Sequence, residues 1–408
     1  MSNIQNFDLD AKNIAIYNSL VQNTKYYWTD YDLLPEYLQQ RFEDYNRYVH
    51  AFAGYVKRRV QENKDLIFCL FPKIIETVSL YLRGKISQSY KSMETALESV
   101  NDLLFQKSTR RPTSGVEFGF KARIQNDKEE LFSRTDMFHI PFEKRHLVKD
   151  QRYSIHGVPS IYLGKSIYDC YLELGKPPLD TFWVSLFIFT QDKNDVLSPQ
   201  HLRLADLTFA DKSHDIPLIL NSVKNDDVEY KHTLDRLVDD ILLWPLIMAC
   251  SIVCKHPEAS FKQEYIIPQM VYQFCNHTNG FSGIRYYSTK VGGIDRGKIR
   301  NAMINLALPA QDVKRSGFCP RLAGHLALTE PINVRKCDYV QIDAKYGWTP
   351  NGIPIVSRLN SDLQQNETVV ALDKMSSYFD HLMTKFIKQH DLNLLQPLYG
   401  WKEERVDK

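Results

Sequence analysis

No stretch of this sequence reaches the ~18 uninterrupted apolar residues of a membrane-spanning helix. The opening residues MSNIQNFDLDAKN also lack the apolar segment of a signal peptide. A membrane-embedded or secreted chain is therefore not expected, and a soluble cytoplasmic one is. Charge of one sign is missing too: 51 Lys and Arg stand against 49 Asp and Glu, leaving +2 and no global basic field for nucleic acid. Two local basic runs, VKRRV at 56–60 and TRRP at 109–112, read as solvated charge on a helix and a linker rather than a nucleic-acid surface. The cysteines (Cys69, Cys170, Cys250, Cys254, Cys275, Cys319 and Cys337) are odd in number and contain no C-x-x-C. That argues against a disulfide framework and fits a reducing compartment. Cys250, Cys254 and His256 could form half a metal site, but WPLIMACSIVC around them reads as a buried helix, so no metal is expected. Repeats and low-complexity tracts are absent.

What is present is enough apolar residue to bury a sizeable core. A hydrophobic share of 43% with 25% charged residues is that of an ordinary globular protein, and 408 residues allow two domains. Up to about residue 105, Gly and Pro are sparse, and Phe42, Tyr45, Val49, Phe52, Val56 and Val60 recur at three- and four-residue intervals. That spacing predicts amphipathic helices. Leu66–Leu82 predicts a strongly apolar helix, or two short ones around Pro72, and Ser87–Phe105 another helix. Arg47 and His50 are three apart, so the RNase-type Arg-x-x-x-x-His is absent, and a packing or partner-binding module is the expected role here.

KSTRRPTSG at 107–115 reads as a linker. Beyond it the texture changes to α+β. Strands are predicted at Tyr153–Ile155, Ser160–Leu163, Phe182–Phe189 and His201–Phe209, and again at Ile284–Thr289 after Gly280 and Gly283. Helices are predicted at Leu234–Cys254 and Tyr265–Cys275, and a C-terminal one at 367–390. The expected division is a helical domain over 1–110, a catalytic domain over 111–350 and a helical extension over 351–408.

The stretch Leu131–Gly175 concentrates the chemistry. Arg134, Arg145, Arg152 and Glu173 lie among apolar and aromatic residues, where charges mark either ion pairs or a ligand site. Within it, RYSIHGVPSIYLGKSIYDCYLELG (Arg152–Gly175) resembles the first half of the RES domain, a family named for an Arg, a Glu and a Ser. Its pattern, R-[WFY]-S/N-x-x-G-x-x-x-[LI]-Y followed by a helix ending in Glu, is met at Arg152, Gly157, Tyr162 and Glu173. The second half follows in order as WVSLFIF, LRLADL and EYIIPQMVYQF, then GFSGIRYYST with Ser288 as the family's serine. Two departures stand out. Tyr153-Ser154 replaces the common Trp-Asn, which would reshape the pocket's lip. The segment between Glu173 and Ser288 is long, with a polar stretch at Lys212–His232 that would make a lid or partner surface.

The resemblance covers roughly residues 130–330. It implies an ADP-ribosyltransferase-like mixed α/β fold behind an all-α N-terminal domain, and NAD+ as substrate with no other cofactor. The implied activity is that of a toxin that hydrolyses or phosphorolyses NAD+, or transfers its ADP-ribose to protein, in toxin–antitoxin or anti-phage conflict. Implied partners are an antitoxin or a neighbouring defence protein, with homo-oligomerisation open. Arg152, Glu173 and Ser288 are the implied catalytic residues. Arg134, Tyr162, Tyr153, Arg145 and Arg285 are the implied substrate contacts. Nicotinamide leaves NAD+ as a neutral molecule, so one carboxylate suffices where ordinary glycosidases use two. Arginines suit the pyrophosphate through planar bidentate donors. The alternative is a non-enzymatic binding module, with Arg152 and Glu173 a structural ion pair.

Overall fold

The structure, a computed structural model, describes residues 2–22, 33–109, 117–125, 131–189, 202–209, 228–277, 280–290, 304–333 and 396–397. Six helices come first: α1 (Ser2–Gln22), α2 (Leu34–Val49), α3 (Gly54–Glu62), α4 (Lys64–Leu82), α5 (Ile86–Ser99) and α6 (Asn101–Thr109). Then come β1 (Phe118–Ile124), β2 (Ser160–Gly164), α7 (Ile167–Glu173), β3 (Phe182–Phe189) and β4 (Leu204–Leu207). The later elements are α8 (Val228–Cys250), α9 (Ile266–His277), β5 (Gly283–Tyr287), β6 (Ile304–Pro309), α10 (Pro320–His325), β7 (Leu326–Leu328), β8 (Ile332–Asn333) and β9 (Gln396–Pro397). The fold is α+β. Among the described residues, no helix is long and apolar enough to cross a membrane.

The chain divides into two compact units that interleave. One comprises Met1–Arg111, Asp150–Ile155 and Arg203–Asn301; the other comprises Pro112–Lys149, His156–Leu202 and Ala302–Lys408. The linear division expected was 1–110, 111–350 and 351–408. The turn carrying Arg152 and the β4–β5 pair pack with the N-terminal helices, because those helices offer them a core.

In the helical unit that core is aromatic. Tyr45 stacks on Trp244 at 5.0 Å and 11°, and Phe71 lies 6.1 Å from the same indole. The Tyr45 hydroxyl donates to the Ile241 carbonyl at 2.7 Å. β4 and β5 pair in parallel, Leu204 opposite Gly283 through Leu207 opposite Tyr286. α6 lies against this pair, with the Arg203 guanidinium 3.9 Å from the Phe105 ring. Lys107, expected in a linker, instead lies in the last turn of α6 with its side chain 7% exposed, paired with Asp240 at 1%. It also donates to the Thr208 carbonyl, and the Tyr17 hydroxyl donates to Asp240 at 2.6 Å. Its alkyl stem accounts for the burial, and the paired carboxylate makes the buried charge tolerable.

The second unit is built on an antiparallel sheet, in which β6, β2, β1, β3, β7 and β9 are successive neighbours and β8 also pairs with β3. FWVSLFIF is buried along its whole length, as expected of a central strand, where both faces are covered. Its Phe182, Val184, Leu186 and Ile188 join Phe118 and Phe120 of β1 and Ile167 and Cys170 of α7 in one apolar cluster. α7 therefore covers one face of this sheet.

Local expectations hold for most elements and fail at informative places. α4 is one helix carrying Pro72, and 42–60 is helical as expected, divided between α2 and α3, whereas 87–105 breaks into two helices at Val100. α8 ends at Cys250, four residues before the predicted stop. Tyr153–Ile155 is not a strand: Arg152 and Tyr153 form a turn, and only Ile155 makes an isolated bridge. The Ser154 hydroxyl sustains that turn, accepting from Gln151 N at 3.0 Å and lying 2.9 Å from Asp150 Oδ1. Serine offers the backbone such local bonds in place of a ladder. The helix predicted at 367–390 and most of the polar stretch 212–232 lie outside the described residues.

Replacing Lys107 by Met is expected to destabilise the protein by about 3–5 kcal/mol, because Asp240 loses its buried counter-charge. The double change Lys107→Met with Asp240→Leu should recover much of that loss in denaturant unfolding. A neutral single variant would contradict the buried pair.

Candidate functional site

Each unit carries half of the expected constellation. Arg152, Tyr153, Arg285 and Ser288 belong to the helical unit; Arg134, Arg145, Tyr162 and Glu173 belong to the sheet unit.

In the helical unit, α9 anchors the Arg152 turn: Gln269 Nε2 donates to Asp150 Oδ1 at 2.7 Å and to the Gln151 carbonyl at 3.1 Å. Arg152 is 7% exposed. Its Nη1 donates to the carbonyls of Cys250 at 3.4 Å and Glu264 at 3.3 Å, and the guanidinium lies 5.0 Å from the Tyr265 ring. Cys250 is the last residue of α8, so this cation sits at the negative end of a helix. Nη2 is buried with no hydrogen-bond partner, and no carboxylate of its own unit pairs with Arg152 among the described residues. A buried cation held by two long carbonyl bonds is under-compensated.

The remaining residues of this unit surround that turn. Tyr153 is 1% exposed and packs on Tyr286 at 4.2 Å and edge-on to Tyr272 at 6.2 Å. It is a core residue, not the pocket lip expected, because its ring completes a tyrosine cluster between the turn, β5 and α9. The contact with Tyr286 ties the Arg152 turn to β5. Ser288 follows β5 by one residue, is buried, and accepts from Lys290 N at 3.3 Å. Arg285 is buried in β5, opposite Asp206 in the ladder.

In the sheet unit, Glu173 is delivered by a strand, a turn and a short helix. Lys165 fixes the turn, donating to Glu117 Oε1 at 2.8 Å and to the Phe118 carbonyl at 2.7 Å. Ser166 caps α7 by accepting from Asp169 N at 3.0 Å, while Asp169 Oδ2 accepts from Ser166 N at 3.1 Å. This reciprocal capping box satisfies two helix-end donors. Gly164 lets the helix approach, since a Cβ there would meet Cys170 Sγ at 2.8 Å. At the other end Gly175 takes φ +77°, and Lys176 N bonds back to the Tyr171 carbonyl, stopping the helix just after Glu173.

Glu173 thus occupies the carbonyl end of α7, an electrostatically poor place for a carboxylate. Asn305 of β6 compensates by donating from Nδ2 to Glu173 Oε1 at 2.7 Å. Asn305 pairs with Gly164 and Ala307 pairs with Tyr162 in the antiparallel ladder, so Tyr162 and Asn305 project from the same face. The face of the sheet that carries Tyr162 therefore also carries Asn305, the partner of Glu173. Asp169, one helical turn before Glu173, is 1% exposed. Burial pushes its carboxyl well above the usual carboxylate range and the Glu173 charge adds to this, while the bonds from Ser166 oppose it. Asp169 Oδ1 and Asn305 Oδ1 are both buried without a hydrogen-bond partner.

The two outer arginines of this unit are differently engaged. Arg134 pairs with Glu330 at 2.7 Å. Arg145 lies 4.8 Å from the Phe142 ring and reaches the Gly157 carbonyl at 3.5 Å, at the limit of a hydrogen bond. Asp169 and Asn305 are the residues that sequence reasoning missed. The first lies four positions before Glu173 and so on its helical face; the second is the polar residue in the apolar strand INLALP. Among the described residues, no group of three His, Cys, Asp or Glu could hold a metal ion.

Among curated proteins, the chain is 33% identical over 272 residues to the protein named "Putative toxin YopC" from Bacillus subtilis (strain 168). The match takes in 64% of this chain and 57% of that protein, so the chain spans little more than half of the relative's length. No family model matches the sequence, and no solved structure matches the chain.

Gly164→Ala is expected to destabilise the protein by about 1–3 kcal/mol through overpacking against Cys170, and Ser166→Ala by about 1 kcal/mol through loss of the cap. Denaturant unfolding measures both. A Gly164→Ala protein as stable as wild type would mean that α7 is not seated closely on β2.

Proposed function

We propose that this chain is a RES-type toxin that consumes NAD+ by cleaving the bond between nicotinamide and ribose. One observation carries the reading furthest: Arg152 is a buried guanidinium with an unpartnered Nη2 and no carboxylate paired to it within its unit. A dinucleotide pyrophosphate supplies the charge and the acceptor oxygens that such a group lacks. The resemblance at Arg152, Gly157, Tyr162 and Glu173 supports the same reading, as does the toxin name of the relative from Bacillus subtilis (strain 168).

In this mechanism the C1′–N bond breaks with its electron pair passing to the pyridinium nitrogen. Nicotinamide leaves neutral, with no proton donated to it, and positive charge develops on the ribose ring. Glu173 counters that charge and accepts from a ribose hydroxyl, its orientation held by Asn305. The unfilled Oδ1 of Asn305 gives the other ribose hydroxyl an acceptor. The resemblance assigns the pyrophosphate to Arg152, with Arg134 and Arg145 as further candidates, the nicotinamide end to Tyr162 and the ribose to Ser288. Arg285 is a further phosphate contact. Water, phosphate or a protein side chain then takes the ADP-ribosyl group, since all three acceptors follow the same departure.

Nicotinamide release from NAD+ by the purified protein tests the reading. Wild type is expected to release it, and Glu173→Gln, which keeps the shape and the Asn305 contact, should stay folded and lose about 10²–10³-fold in rate, the usual cost of one removed electrostatic contact at the transition state. Adenylate-labelled NAD+ separates the acceptors, because label on protein identifies transfer. No nicotinamide release by wild type, or full activity in folded Glu173→Gln, would overturn the proposal.

A further inference from the structure

The helical hairpin of α4 and α5 ends in a tip whose shape the sequence dictates. Gly84 takes φ +73°. Two backbone bonds end α4 there, Gly84 N to the Tyr81 carbonyl and Lys85 N to the Leu80 carbonyl, each at 2.9 Å, and turn the chain back into α5. Every residue from Leu82 to Gln88 is exposed. A second tip stands beside it, the turn Ala259–Lys262, closed by Lys262 Nζ donating to the Ala259 carbonyl at 2.7 Å. The Tyr81 and Phe261 rings stack at 6.1 Å and 4°, joining the two.

Apolar and basic side chains collect on this surface. Single exposed apolar residues are ordinary, but three of the eight large ones exposed among the described residues meet here: Leu82 at 38%, Ile86 at 41% and Phe261 at 52%. Arg83 and Lys85 stand between the first two, and Lys262 follows the third. From Thr77 to Met93 the chain contains no Asp or Glu. On the second tip Glu258 is exposed, whereas Glu264 is buried and accepts from Lys255 N at 2.8 Å. Arg83, Lys85 and Lys262 thus outnumber the exposed carboxylate.

This mixture discriminates between partners. A nucleic acid takes the cations and has no use for Leu82, Ile86 and Phe261. The centre of a protein–protein interface is depleted of charge, whereas here Arg83 and Lys85 lie between the two aliphatic residues. An anionic bilayer uses both kinds of side chain. Aliphatic and aromatic groups enter the boundary between headgroups and acyl chains, while Lys and Arg stay with the lipid phosphates. Tyr81, half-buried against Phe261, has the amphipathic ring suited to that level. We infer that the α4–α5 tip and the 259–262 turn form a docking face for an anionic membrane surface, on which the chain rests without spanning it. The inference is independent of the proposed NAD+ chemistry, because none of these residues belongs to the candidate site and lipid binding alone reads it out.

Cosedimentation of the full chain with vesicles of phosphatidylcholine and phosphatidylglycerol in equal parts, against phosphatidylcholine alone, tests this. Wild type is expected to pellet with the mixed vesicles, far less with the neutral ones, and to be released as salt rises. Arg83→Gln with Lys85→Gln should weaken binding about tenfold or more, and Leu82→Ser with Ile86→Ser should do the same. All four side chains are exposed, so both variants should stay folded, as circular dichroism checks. Lys57→Gln with Arg58→Gln removes the same charge from α3, which adjoins the other end of the 19-residue α4, and should bind like wild type. No binding to the mixed vesicles, equal binding to both vesicles, wild-type affinity in either folded tip variant, or equal weakening by the α3 change would each overturn the inference. Self-association in solution that Leu82→Ser with Ile86→Ser abolishes would overturn it too, by assigning the face to a second copy of the chain.

Discussion

A guanidinium out of water is expensive unless something answers its charge, and Arg152 is answered incompletely. Two carbonyl oxygens at 3.3 and 3.4 Å and the face of Tyr265 are weak compensation for a group that is 93% buried. Yet its surroundings are built to keep it there. The Ser154 hydroxyl shapes the turn, Gln269 holds it from α9, and the tyrosine cluster around Tyr153 locks it against β5. The cation is thus held firmly in place with its Nη2 left without a partner, and the proposed function rests on that turn.

Glu173 shows the complementary logic in the sheet unit. A carboxylate at the end of a seven-residue helix is kept in place by features that have nothing else in common: a missing side chain at Gly164, a capping box at Ser166 and Asp169, and a positive φ at Gly175. Remove any of them and the last turn of α7 can shift. Asn305 is then the group that decides where the carboxylate points. Its role depends on ladder register, because Gly164 opposite Asn305 puts its amide on the face that α7 covers.

Much of this was legible before the structure. Strand β3 was readable because a run buried on both faces has no alternation to mislead, and the stop of α7 was readable from Glu173 followed closely by Gly175. The Arg152 turn was not, since Tyr153 and Ile155 have strand-forming side chains and only the local bonds of Ser154 override them. Tyr153 was misplaced on a pocket lip for a related reason: an aromatic residue suits a stacking site and a core equally, and three-dimensional neighbours decide between them. Asn305 was out of reach because its importance comes from a partner 132 positions away in the chain. The interleaving of the two units was equally hidden, as local patterns say nothing about which core a short segment such as Asp150–Ile155 joins. Lys107 illustrates the same point from the other side, a polar residue in a linker-like string that closes a buried ion pair with α8.

The central claim is that the buried Arg152 guanidinium awaits the pyrophosphate of a dinucleotide. Its most direct test is calorimetric titration of NAD+ into the catalytically silenced Glu173→Gln protein, with and without Arg152→Lys. The account predicts saturable binding in the single variant, weakened about tenfold or more when the planar fork of Arg152 is replaced by an ammonium. No binding in the single variant, or the same affinity in both, would contradict it.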